Sequence, residues 1–263
     1  MGYIKETSEI NIIKNIGEGA YSRVYKAEIV GKNGQKKTKT NIALKQNMIP
    51  EDFDFIGSVK ELDILWKVKE CEECVDLISL HTSSVFTTDE QLARIDDFSK
   101  SDIVHFGLEL ASGNLMGYIR TPDCNKYKKS VMLQIVKGLQ FLHANKIIHR
   151  DIKTENLLVF KRRGKHPLIK YCDFGMSRAF TYQGAKTPET VTSNYRCPEI
   201  CLEENFYDYR IDIWSLGCVL FEIISKKLLI SFRCDGDSDE NIIILNKIIR
   251  GSQNTAKIRK FNL

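Results

Sequence analysis

Residues 149–175 read H-R-D-I-K-T-E-N-L-L-V-F-K-R-R-G-K-H-P-L-I-K-Y-C-D-F-G, and this stretch constrains the rest of the chain most. Three oxygen-bearing side chains, Asp151, Asn156 and Asp173, are separated by the apolar runs 157–160 and 168–169. Two short strands around the basic turn 161–165 bring Asn156 and Asp173 to the same end of a hairpin. Oxygen ligands on two loops suit Mg²⁺, which keeps several waters and leans on substrate phosphates rather than on a full protein cage. Asp151 then stands ready to accept the proton of an attacking hydroxyl, and Lys153 to neutralise charge on a phosphoryl group in flight. His149 and Phe174 read as core side chains that hold these loops in place.

Composition leaves room for such a site and excludes several other classes. The chain has 263 residues, 43% hydrophobic and 28% charged, enough for one large domain or two lobes with a buried core. The net charge of +5 comes from scattered lysines without an aromatic–basic array, so nucleic acid is not an expected partner. Residues 1–10 do not resemble a signal peptide, and the most apolar segment, 211–224, is broken by Asp212 and Glu222 and is too short to span a bilayer. That segment reads as a buried helix. The expected setting is intracellular, cytoplasmic or nuclear, without membrane association, and the eight cysteines default to reduced thiols. Cys71-x-x-Cys74 has half of a zinc-site spacing with His81 nearby, but no second pair follows at finger-like distance, which disfavours a metal there.

Upstream, residues 9–30 alternate loosely around Gly17-Glu18-Gly19-Ala20-Tyr21-Ser22, a two-strand pattern with a glycine turn whose backbone N–H groups can approach phosphates. Residues 31–40, polar and lysine-rich, read as a long hairpin tip, and 41–45 as a strand. Apolar Val59, Leu62, Leu65, Trp66 and Val68 give 55–68 a helical period. Val75 to Leu80 and Val85-Phe86 read as strands, 87–100 as an extended connection, and 103–110 as a further strand. Residues 115–120 begin a helix, 128–145 form an amphipathic one, and 242–249 carry a last helical pattern.

H-R-D-x-K-x-x-N followed by D-F-G resembles the catalytic and metal-binding segments of protein kinases. The string 17–27, G-E-G-A-Y-S-R-V-Y-K-A, is similar to the glycine loop of cyclin-dependent kinases, with Ser22 in place of the third glycine. N-I-A-L-K at 41–45 matches the V-A-I-K strand, and V-K-E-L-D-I-L the helix that presents Glu61 to Lys45. Residues 191–199 resemble V-T-x-W-Y-R-A-P-E, with Asn194 for tryptophan and Cys197 for alanine. The likeness covers about residues 10–249.

The resemblance implies an α+β, bilobal protein kinase fold in one domain, 1–263. Its N-lobe, about 1–110, is a small antiparallel sheet with one main helix; its C-lobe, about 111–263, is mostly helical. Because one helical pattern follows 212–225 where the family continues for several helices, the large lobe reads as shortened, with no arginine partner evident for Glu199. The implied activity is that of a serine/threonine protein kinase using ATP and Mg²⁺, for which Lys153 is the residue choice of that class. Asp151, Lys153, Lys45 and Glu61 are the expected catalytic set, and Asn156 and Asp173 the metal ligands. Ile16, Gly17, Gly19, Val24, Ala43, Lys45, Leu108, Glu109 and Ala111 are expected to bind the nucleotide, Leu108 as gatekeeper and the backbone of 109–111 along the adenine edge. Asp212 is expected to brace the catalytic-loop backbone. Thr187 falls where the family carries an activating phosphothreonine, with Lys60, Arg150 and Arg178 at the matching cation positions, and Tyr195-Arg196 suggests a proline-directed preference. Protein substrates with Ser/Thr acceptors follow; residues 55–61 depart from the family's cyclin-binding sequence at most positions, which counts against a cyclin-like activator. The competing reading is a non-catalytic kinase-fold scaffold, against which the intact Asp151, Asn156, Asp173 and Lys45 argue.

Overall fold

A computed structural model of the chain describes residues 9–19, 22–33, 36–47, 55–82, 104–179, 192–204, 208–231 and 239–258. The chain divides into two compact units, Met1–Glu70 with Val75–Ser112, and Cys71–Cys74 with Gly113–Leu263. The class is α+β.

The first unit is an antiparallel sheet in the order β1-β2-β3-β5-β4, with strands β1 (Glu9–Glu18), β2 (Ser22–Asn33), β3 (Lys36–Asn47), β4 (Leu77–Thr82) and β5 (Val104–Glu109). Strand residues of one parity gather into a core of Tyr25, Ala27, Ile42 and Leu44, flanked by Ile10, Ile12, Ile29 and Ile78, as period-two alternation requires. The β2–β3 ribbon extends further than the sequence suggests. Residues 31–33 and 36–40, expected in a loop, are paired from Gly31↔Thr38 to Asn33↔Lys36. Thr38, Lys39 and Thr40 are exposed, so no apolar alternation marked them; cross-strand partners hold them instead, including Lys39 to Glu28 at 2.8 Å. Of the two strand expectations at 75–80 and 85–86, the first is β4 with later boundaries, and the second lies outside the described residues, as does the 87–100 connection.

Helix α1 (Phe55–Lys67) buries Glu61, Ile64 and Leu65, while Val59 and Trp66 are 45% and 62% exposed. The expected apolar face is therefore displaced: with five apolar candidates on one helix, spacing alone does not decide which stripe meets the sheet.

In the sheet, His105 lies opposite His81 and is 2% exposed. Burial, with a smaller contribution from His81, pushes its imidazole down to about 4. A base whose folded pKa is lowered contributes stability above its unfolded value, about 6.5, and loses it as pH falls towards 4, a contribution of about 3 kcal/mol. Denaturant titrations between pH 7 and 4 are expected to show wild type losing more stability than His105→Leu; parallel losses would refute this.

The second unit contains β6 (Gly113–Asn114), α2 (Leu115–Ile119), α3 (Pro122–Ala144), β7 (Ile147–Ile148), β8 (Leu157–Phe160), β9 (Leu168–Tyr171), β10 (Arg178–Ala179), α4 (Pro198–Cys201), α5 (Arg210–Ser225) and α6 (Glu240–Ile258). Asn114 caps α2 by accepting the Gly117 N–H at 3.1 Å. α3 starts six residues before its apolar period becomes visible, because Pro122 at N1 and Asp123 supply the start signal. Its buried stripe is Val131, Ile135, Leu139 and Leu142. α5 buries Ile211, Leu216, Cys218, Val219 and Ile223, in line with the expected buried helix, while Ile213 and Ile224 on its other face are 52% and 58% exposed. α6 seats Ile244 against Cys201 and Ile230. No helix among the described residues is long and apolar enough to cross a membrane.

α3 meets β9 at Gly138. A Cβ there would lie 2.7 Å from Tyr171 Cε2 and 3.0 Å from Glu73 Cβ. Tyr171 is fully buried and donates its hydroxyl to the Ile135 carbonyl at 2.8 Å, so its ring cannot retreat cheaply. Alanine would gain about 1 kcal/mol in helix propensity but overpack by about 1–3 kcal/mol. Gly138→Ala is expected to lower the denaturation midpoint; an unchanged or raised midpoint would contradict this packing account.

Candidate active site

In the first unit, β3 carries Lys45 and α1 carries Glu61. Their side chains meet at 2.6 Å with 7% and 4% exposure, a buried ion pair. Asn47 Nδ2 donates to Ser58 Oγ at 3.0 Å, a second strand-to-helix tie on the same two elements. Register places Ala43 opposite Leu108 and Lys45 opposite Phe106. Leu108 is 8% exposed, and the Glu109 amide donates to the Asp76 carbonyl at 3.2 Å while its carboxylate accepts the Asp76 N–H at 2.8 Å. At the other side of the sheet Gly17 pairs with Val24, the Gly17 N–H is held by Asn15 Oδ1 at 2.9 Å, and the Gly19 N–H closes the turn on the Ser22 carbonyl at 2.8 Å. Ile16 is 44% exposed. An added Cβ at Gly17 or Gly19 would meet no atom of the described residues nearer than 3.8 Å, so packing among them does not explain glycine at either position.

In the second unit, β8 and β9 pair Leu157 with Tyr171, and the Cys172 N–H donates to the Asn156 carbonyl at 3.0 Å. Asn156 and Asp173 therefore do stand at one end of a hairpin. Asp173 adopts a left-handed conformation, φ 63°, which an aspartate tolerates better than most residues. Phe174 follows, fully buried, its ring 5.4 Å from that of His149. His149 Nε2 donates to the Cys172 carbonyl at 3.1 Å and Nδ1 accepts the Asp151 N–H at 3.3 Å, so both residues hold the loops together.

Arg150 is left-handed as well, φ 69°. Such strain costs on the order of 1 kcal/mol or more and needs compensation. Asp212, at the start of α5, supplies it: Oδ2 accepts the His149 N–H at 2.8 Å and Oδ1 the Arg150 N–H at 2.9 Å, two charge-assisted bonds inside the protein. His143 Nε2 lies 2.9 Å from the same carboxylate.

The turn so braced aims Asp151, 7% exposed, at three donors. Lys153 Nζ and Asn156 Nδ2 reach Oδ2 at 2.7 and 2.8 Å; the Thr192 hydroxyl reaches Oδ1 at 2.8 Å and receives Lys153 Nζ at 2.9 Å. Asn156 also uses its amide nitrogen on the Asp151 carbonyl at 2.9 Å, leaving Oδ1 as its group for a cation. Thr192 is a site residue that sequence reasoning missed, although it lies in the quoted V-T string. A buried hydroxyl network was missed too: Tyr195 donates to Glu222 Oε2 at 2.8 Å and pairs with Thr154 at 3.1 Å, which anchors the loop from beneath. Burial pushes the Tyr195 phenol well up, so it stays a donor.

Of the three expected phosphate-binding cations, Arg150 and Arg178 lean on the same backbone, Arg150 Nε on the Met176 carbonyl at 2.7 Å and Arg178 Nη1 on that of Ser177 at 2.9 Å. Lys60 is exposed on α1 of the other unit. Thr187 lies outside the described residues. Among those residues no three His, Cys, Asp or Glu side chains gather as a metal cage, around Cys71 and Cys74 included.

An ion-paired strand lysine, a glycine turn, a braced aspartate and an Asn/Asp hairpin are the parts of a phosphotransferase of the kinase type. The chain belongs to the protein kinase family: the family model for the protein kinase domain matches residues 10–262. Similar proteins include cyclin-dependent kinase 10 of Mus musculus, 30% identical over 238 residues, which cover 88% of this chain and 58% of the relative. Cyclin-dependent kinase G-1 of Oryza sativa subsp. indica is 32% identical over 254 residues, 90% of this chain and 33% of that protein. The chain thus spans between a third and three fifths of the length of these relatives.

Proposed function

We propose that the chain is an ATP-dependent serine/threonine protein kinase that transfers the γ-phosphoryl group to Ser/Thr hydroxyls of protein substrates. The observation that carries this reading is the Asp151 carboxylate, fixed by Lys153, Asn156 and Thr192 in a geometry that a purely structural aspartate does not need. Asp151 accepts the hydroxyl proton, and Lys153, 2.7 Å away, offsets charge on the transferring group. Lys45, oriented by Glu61, holds the α- and β-phosphates; the open backbone at Gly17 and Gly19 covers them. Ile16, Val24, Ala43 and Leu108 line the base, with the backbone of 109–111 along its polar edge. Asn156 Oδ1 and the Asp173 carboxylate would hold Mg²⁺, an oxygen donor set that fits this ion. When bound, Mg²⁺ neutralises developing charge on the phosphates.

The finer readings rest on the Thr187 and Tyr195-Arg196 positions: activation by phosphorylation of Thr187 and preference for proline after the acceptor. The relatives are named for dependence on cyclin; residues 55–61 here depart from that binding sequence, so we assign no cyclin partner. The chemistry requires a compartment with ATP, cytoplasmic or nuclear.

The test is transfer of label from γ-labelled ATP with Mg²⁺ to acceptor proteins and to a peptide array with varied residues after Ser/Thr. Label on hydroxyls, lost with chelator and in Asp173→Ala, is expected; transfer unchanged by both treatments would sink the assignment. Equal labelling with and without proline would remove the finer preference alone.

A further inference from the structure

We propose that Cys71 and Cys74 form an oxidisable dithiol, which hydrogen peroxide closes into a disulfide, and that this closure loosens strand β9. The two cysteines sit at the ends of one turn, Cys71-Glu72-Glu73-Cys74, closed by the Cys74 N–H on the Cys71 carbonyl at 3.0 Å. An i to i+3 bond of this kind holds the end Cα atoms within about 7 Å, close to the separation a disulfide tolerates. Both thiols are free and buried. The neighbouring Cys74 holds the Cys71 thiol below its ordinary value, and Cys71 together with burial raises that of Cys74, so the pair is divided into an attacking and a resolving sulfur. Glu73 Oε2 lies 3.8 Å from Cys71 Sγ and can take its proton.

Access orders the steps the same way. Cys71 keeps 4% of its surface open and Cys74 none, which admits a molecule of peroxide size sooner than a bulky disulfide. The Cys71 thiolate attacks one peroxide oxygen; the O–O bond breaks and hydroxide leaves, taking up the proton Cys71 gave. The resulting sulfenic acid is attacked by Cys74 sulfur, the S–O bond breaks, and the Cys74 proton leaves with that oxygen as water. Two thiols and one peroxide become one disulfide and two waters.

The turn is not isolated. Its Glu73 carbonyl accepts the Tyr171 N–H at 2.8 Å, and Cys74 forms a parallel bridge with Tyr171. Tyr171 ends β9, two residues before Asp173. Drawing two unbonded sulfurs together to about 2.05 Å must move the turn. Gly138 and the fixed Tyr171 ring leave it little room, so the Glu73–Tyr171 bond yields.

Reduced protein is treated with peroxide, denatured, alkylated and digested for mass spectrometry, and the Tyr171 amide is followed by hydrogen exchange in both forms. The peptide holding both cysteines is expected unalkylated and lighter by two hydrogens, reverting with dithiothreitol, while Cys218 remains alkylated. In Cys71→Ser, oxidation of Cys74 is expected to slow by about tenfold or more. Tyr171 amide exchange is expected to accelerate by about tenfold or more in the disulfide form. Alkylation of both cysteines in wild type, or pairing of either with a third cysteine, would overturn the dithiol; unchanged Tyr171 exchange in disulfide-bonded protein would overturn its link to β9. Wild-type mapping decides the first point even where Cys71→Ser does not fold, and neither readout uses nucleotide, so the outcome is independent of phosphotransfer activity.

Discussion

Asp151→Asn is expected to lower the turnover of phosphoryl transfer by about 10²–10⁴-fold while leaving stability within about 1 kcal/mol of wild type. The reason for the first half is the loss of the carboxylate proposed to accept the acceptor's proton; an amide oxygen is far too weak a base. The reason for the second lies in the hydrogen bonds. Oδ2 accepts from Lys153 and Asn156, both obligate donors, whereas Oδ1 faces a hydroxyl, Thr192, which can turn from donor to acceptor. An asparagine can therefore place its oxygen towards Lys153 and Asn156 and its NH₂ towards Thr192, with every bond retained. Affinity for nucleotide should stay near that of wild type, since Lys45, Asn156 and Asp173 are untouched. Turnover equal in the two proteins, measured beside matching melting curves, would mean that the chemistry does not pass through this carboxylate.

The same residues show what the sequence made legible and what it hid. The 149–175 stretch was readable because its constraints are local: the 157–160 and 168–171 strands pair across a short turn, so spacing alone delivers Asn156 and Asp173 to one hairpin end. Lys45 and Glu61 needed the family resemblance, since nothing across a separation of 16 positions says that a strand lysine meets that helix glutamate. Thr192 and Glu222 were missed because their contacts join segments 41 and 68 residues apart from the catalytic loop, and neither residue type is unusual where it stands. The face of α1 was misread, and the exposed face of α5 not foreseen, for another reason. Both helices carry apolar residues around much of their circumference, so periodicity loses its power to choose a face. Polar strands fail the same way: the outer β2–β3 ribbon is held by cross-strand pairs such as Glu28–Lys39, which leave no alternation to read.

Lys45→Met is expected to cost about 3–5 kcal/mol of stability, larger than any other single change considered, because it strands the Glu61 carboxylate with 4% exposure and no counter-charge. For a chain of this size that loss corresponds to a fall of about 10 °C in melting temperature. The pair itself need not be a net source of stability: withdrawing two charges from water offsets much of their attraction, and buried pairs are often replaced by apolar residues at no loss. The double variant Lys45→Met/Glu61→Leu is therefore expected to regain most of the lost stability while transferring no phosphate, since neither new side chain can orient or neutralise a nucleotide. That split separates two roles that either single variant confounds. A double variant that stays as unstable as Lys45→Met would mean that the hydrogen-bonded geometry, held also by Asn47 and Ser58, matters more than charge compensation. A double variant that recovers transfer along with stability would show that Lys45 only props α1 against β3, and the nucleotide would have to be held by other groups.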